Sequence, residues 1–317
     1  MEQKFTYEDF KIDVKQNHKM IIDEGIVKLQ GSKIYPYIGD DQSINAKATR
    51  SAPDQYIITI NEGVLKAIFS YSTEVLRPFY KIYHANLGVT EELFIRFVCG
   101  IMSDFIFWHE LSHIARGHFK YLGIDQYDTS LGFNLDKISE SRIVEIDADI
   151  FGASYLFLRV LSVINSGSIR AEDALCAYTV GIRSIFEILH IDNVLEDYNH
   201  RTNEHPHSQA RAFNAYAFGV ASPEIISYKK NILPYYQECA QQFFIDFESL
   251  ALGNKFNIDA VAEIMPVDVD KWHSEKAVLD SLSIMSYEKR SMAEKRKSLF
   301  REITNKLRNL FFPPHYS

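Results

Sequence analysis

"FWHELSHIARGHF", residues 107–119, sets two histidines and a glutamate in the order H-E-x-x-H inside a strongly apolar run. Residues four apart share a helix face, so Phe97, Ile101, Phe105, His109 and His113 form one stripe. Its lower part reads as core, and its upper end presents two imidazoles one turn apart. That spacing lets both rings reach a single Zn²⁺ at about 2.0–2.1 Å. Glu110 projects beside the pair, where a carboxylate can take a proton from metal-activated water without being a ligand. Polar groups on an apolar helix cost stability unless they are satisfied, and a bound metal is the simplest compensation. Upstream, Thr90 is a candidate N-cap and Glu91 and Glu92 suit the helix dipole, so the helix is expected to run from there through Phe119.

Two histidines leave a tetrahedral zinc short of one protein ligand and a water. The spacing H-E-x-x-H-x-x-G-x-x-H is not met, because Gly117 and His118 fall at other offsets. On a continuous helix His118 points away from the pair and closes the helix, where a cation suits the dipole. A glutamate from a second helix is the other solution, and "SRIVEIDADIFGASYLFLRV", 141–160, offers Glu145. Ala148 and Gly152 share its face and permit a close approach; Asp149, one turn on, can accept from a ligand histidine's other nitrogen. The alternative is that Glu145, Asp147 and Asp149 form a solvated acidic edge. Acids beside Ala and Gly, followed by apolar "IFGASYLF", make a poor surface strip.

With "HELSHIARGH" followed by "EIDAD", and later by "HPHSQAR" carrying His205, Pro206 and Arg211, the chain resembles gluzincin-type metallopeptidases. The likeness is to the catalytic core of HtpX-type peptidases and to soluble phage-exclusion peptidases of the Lit type, and it covers roughly residues 50–215. It implies Glu145 as the third ligand, Asp149 as the acid supporting the ligands, and proteolysis of an intracellular protein in phage exclusion or stress response. His205 and Arg211 keep two readings. Either stabilises the oxyanion formed when a carbonyl is attacked, or Pro206 opens a helix and Arg211 pairs with a carboxylate such as Asp149.

Outward from this centre, "KMIIDEGIVKLQG", "KIYPYIG" and "QYIITIN" read as strands bounded by turn residues. From Asn61 onward apolar residues recur at threes and fours, with breaks near 123–135, 167, 199–206 and 252–266. The expected architecture is mainly α with a small antiparallel sheet at about 19–61, that is, α+β with a zincin-like core. Catalytic helices are expected at about 90–215, all within one domain over 1–285. A substrate peptide is expected to pair with an edge of the sheet, "QYIITIN" being the strand chosen for it. Residues 286–317 read as a basic amphipathic helix and tail, suited to an acidic partner, to a membrane surface, or to packing on the body.

The 317 residues are 46% hydrophobic and 24% charged, a globular composition, and the formal charge of −8 gives no reason to expect nucleic-acid binding. Cys99, Cys176 and Cys239 are too dispersed for a thiolate metal site or a disulfide framework. No transmembrane segment is expected, since Arg96 and Asp104 interrupt the most apolar stretch, and a cytoplasmic setting follows as the expectation. The function expected is zinc-dependent endopeptidase action on a protein or peptide, with Glu110 as base and His109, His113 and Glu145 as ligands. The rival is a non-catalytic or latent metal-stabilised binding module. In it His205 or Asp149 closes the zinc as a fourth ligand, and the loop 120–136 recruits a partner or acts as a lid.

Overall fold

A computed structural model describes residues 4–23, 29, 31–123, 138–189, 206–220, 233–253 and 255–284. The basic C-terminal segment, His205 and most of the loop 120–136 lie outside them. In chain order the elements are α1 (Tyr7–Asp23), β1 (Lys33–Gly39), β2 (Ala46–Ala52), β3 (Gln55–Asn61), α2 (Glu62–Tyr71), α3 (Arg77–Tyr83), α4 (Glu91–Ala115), α5 (His118–Leu122), α6 (Ile138–Ser166), α7 (Ala171–Ile188), α8 (Ser208–Val220), α9 (Leu233–Leu250) and α10 (Ile258–Leu282). The protein is mainly helical with a small sheet near its N-terminus. Among the described residues no helix is long and apolar enough to cross a membrane.

α4 is the axis of the fold. From Phe94 to Ala115 nearly every side chain is buried, including Phe105, Phe107 and Trp108, and a helix apolar on all sides must be enclosed on all sides. α1, α6 and α7 pack along it, with β2 and β3 against its second half. Thr90 caps it as expected, its hydroxyl accepting from the Leu93 amide. α1 is tied across by Asp13, which takes two hydrogen bonds of 2.7 Å from Arg96. α6 lies close to α4 at Gly152, where an added Cβ would stand 3.0 Å from the His109 backbone nitrogen. The small-residue face read in 141–160 is therefore the contact face with the H-E-x-x-H helix.

The sheet departs from the expected all-antiparallel form. Its order is β1-β3-β2, with β2–β3 antiparallel and β1–β3 parallel. β2 and β3 close over a two-residue turn at Pro53–Asp54, while residues 40–45 carry the chain from β1 to the far edge. β3 then returns between the two strands and runs alongside β1. "QYIITIN" is thus the central strand with both sides paired, and among the described strands β1 and β2 are the outer ones, β2 lying beside α4.

Three other expectations change. Lys19–Asp23, read as the start of a strand, ends α1: Phe10, Val14, Asn17, His18 and Ile21 are its buried stripe at helical spacing. α4 stops at Ala115 because Gly117 takes φ 74, the left-handed conformation that glycine adopts without steric cost. α10 begins at Ile258, so Pro266 sits inside a helix and does not mark its entry. The three cysteines are free, as their spacing suggested.

Candidate metal centre

At the upper end of α4 the stripe delivers its two histidines. His109 Nε2 and His113 Nε2 lie 3.1 Å apart. From α6, Glu145 sets one carboxylate oxygen 3.5 Å from each of them. One ligand atom from each of the three residues lies within 4.8 Å of the others, and all three side chains are buried. These are the three ligands chosen from spacing, brought together on two helices.

The surroundings decide which nitrogen of each ring faces this centre. His109 Nδ1 is 2.9 Å from Asp149 Oδ1, and His113 Nδ1 is 2.9 Å from His118 Nδ1. With Asp149 against Nδ1 of His109 and His118 against Nδ1 of His113, the two Nε2 atoms and a carboxylate face one point. Lone pairs facing one another repel, so the donor set fits a cation held between them. Its make-up, two imidazoles and one carboxylate, suits zinc.

Without a cation the charge pattern is uneven. Burial disfavours charge on His109, but Asp149 and Glu145 outweigh it and raise His109 to about 10. Burial, reinforced by the charge on His109, drives His113 well below its ordinary value. One proton on the pair therefore stands where a dication would supply positive charge.

Glu110 is buried beside the ligands, with the β2 amide of Ala48 donating to its carboxylate. Burial pushes it up to about 7; the Glu145 charge adds to the shift, while His109, Ala48 and Arg211 oppose it. Among the described residues its Oε2 has no hydrogen-bond partner. A carboxylate poised near neutrality, with one oxygen unengaged, matches what a general base requires.

Arg211 on α8 takes the pairing role foreseen as one of its two readings. Its Nε and Nη2 bind Asp149 at 2.7 and 2.9 Å, and Nη2 is 3.0 Å from Glu145. The guanidinium lies 5.3 Å over the ring of Phe186 on α7. Planar bidentate pairing fixes Asp149, which in turn faces His109. Pro206 lies two residues before α8.

Two placements were not foreseen. His118 does not point away: the break at Gly117 turns the chain so that its ring meets His113. Asp147 is no solvated edge but a buried hub. It accepts from Arg116 at 2.7 and 3.2 Å and from the Trp272 indole at 2.8 Å, and its Oδ2 lies 2.9 Å from His118 Nε2. The signal for the first was Gly117 itself, a left-handed helix terminator by type; no local signal marks the second.

No family model, curated protein or solved structure matches the chain.

Proposed function

We propose that the protein is a zinc-dependent endopeptidase acting on a protein or peptide substrate. The observation that carries this reading is the convergence of His109, His113 and Glu145 with Glu110 buried beside them and reaching the amide of β2. Zinc bound there would supply Lewis-acid polarisation of water and of the scissile carbonyl. Glu110 takes the proton that the attacking water gives up and returns it to the leaving amine. Asp149 and Arg211 hold His109 and Glu145 in place. A substrate in extended form would lie beside β2, whose Ala48 amide hydrogen-bonds Glu110.

The test is zinc content together with hydrolysis of an unfolded protein or a peptide library. Wild type is expected to carry about one zinc per chain and to cleave. Glu110→Gln is expected to keep the metal and lose roughly 10²–10⁴-fold in rate. Normal cleavage by Glu110→Gln would overturn the assignment.

One observation favours a second reading, a latent or non-catalytic metal-stabilised binding module. His109, Glu110, His113 and Glu145 are only 7%, 4%, 0% and 2% exposed. A full zinc complement with no cleavage even of short peptides would select it. A fourth ligand from Asp149 is disfavoured, since its oxygens are already engaged by Arg211 and His109.

A further inference from the structure

The two histidine ligands are supported differently. His109 faces a carboxylate directly, whereas His113 faces another histidine. His118 reaches it only because Gly117, at φ 74, ends α4 and starts α5 in a new direction. The rings of His113 and His118 meet edge to face, with centroids 5.0 Å apart and planes at 73°.

Two imidazole nitrogens 2.9 Å apart share one proton, and the far side of His118 decides who owns it. His118 Nε2 lies 2.9 Å from Asp147 Oδ2. Asp147 also accepts from Arg116 and from Trp272, and is held as a carboxylate, an acceptor only. Nε2 of His118 must therefore carry the hydrogen. A neutral His118 then has a lone pair on Nδ1 and accepts from Nδ1–H of His113. That leaves the Nε2 lone pair of His113 facing His109 and Glu145, the form able to bind a metal.

We propose that His118 is a positioning residue that sets the tautomer and ring orientation of His113, anchored through Asp147 by Trp272 of α10. It rests on the metal reading above and extends it outward from His113 through His118 and Asp147 to Trp272. α10 also holds Arg116 through Asp280 at 2.7 Å, and Ser283 and the Ile284 amide bond the Ala115 carbonyl at the end of α4. The last described helix is thereby coupled to a ligand near the middle of the chain.

The direct test uses the full chain, labelled with ¹⁵N-histidine and loaded with zinc. Expected are a proton on His113 Nδ1, zinc on Nε2, and a ¹⁵N–¹⁵N coupling across the hydrogen bond to His118 Nδ1. A proton resident on His118 Nδ1, or no coupling, would overturn the proposal without any variant needing to fold. Zinc affinity gives the second readout. His118→Phe keeps volume but offers no acceptor and is expected to weaken zinc binding roughly 10–100-fold. His118→Asn restores an acceptor near the Nδ1 position and is expected to recover most of that loss; Trp272→Phe should weaken binding in the same direction by less. Affinity unchanged in His118→Phe, or equally reduced in both His118 variants, sinks the positioning role while leaving the metal reading intact. A wild-type chain that takes up no zinc sinks both.

Discussion

His18 shows what burial does to a single side chain away from the metal centre. It stacks on Phe107 with centroids 4.2 Å apart, and its Nε2 lies 3.6 Å from Asp104, which accepts from Arg159 at 2.7 Å. Burial, then the charge of Arg159, lowers His18 to about 3. Burial raises Asp104 to about 6, with Arg159 opposing and Asp13 adding to the rise. The two act in opposite directions. As pH falls below about 6.5 the unfolded chain takes up a proton on residue 18 that the folded chain refuses, so stability is lost toward pH 3. Over part of the same range Asp104 takes a proton more readily when folded, which offsets some of the loss. His18→Gln removes the first contribution. Its stability relative to wild type is expected to improve by on the order of 2 kcal/mol between pH 7 and 4.5, read from urea midpoints at both pH values. An unchanged difference would show that His18 is not held neutral.

Among the elements, the contact between α4 and α6 carries the most consequence, because two of the proposed ligands stand on one helix and the third on the other. Gly152 sets their distance. Gly152→Ala would place a methyl 3.0 Å from His109 N and 3.3 Å from its Cα, backbone atoms of a fully packed helix. The expected cost is about 1–3 kcal/mol, together with weaker zinc binding, checked by thermal melting and metal titration. Much of this pairing was legible beforehand. The one-turn spacings of His109 with His113 and of Glu145 with Asp149, and the small residues beside Glu145, all state which faces meet. Local periodicity could not reveal Asp147 as a hub, since its partners Arg116, His118 and Trp272 come from the turn after α4, from α5 and from α10. α1 was legible in its 3.6-residue stripe, but the apolar run "MII" at its end also suits a strand, and packing on α4 settles it as helix. Strand order was beyond reach, because alternation tells which face is buried and not which neighbour lies alongside.

The whole molecule adds the coupling of metal to stability. A ligand that binds only the folded chain stabilises it by RT ln(1 + [L]/Kd), about 4 kcal/mol at a thousand-fold excess over Kd. Chelation of the zinc-loaded protein is expected to lower Tm by several degrees, and added zinc to restore it. Glu145→Ala should melt at the same temperature with and without chelator. A wild-type Tm indifferent to chelator would count against a site that bridges α4 and α6.

The sheet order also bears on how the chain assembles. The β2–β3 hairpin closes over two residues, whereas β1 pairs with β3 only after the chain has crossed to the far edge and returned. Local closure is entropically cheaper than distant closure, so the hairpin is expected to form early and β1 to dock late. Destabilising changes at the buried Ile34 of β1 should then mainly accelerate unfolding, while equivalent changes at Ile58 of β3 should slow refolding. The strand that borders Glu110 would thus be in place before the sheet is complete, making the surroundings of that carboxylate one of the first parts of this protein to acquire its shape.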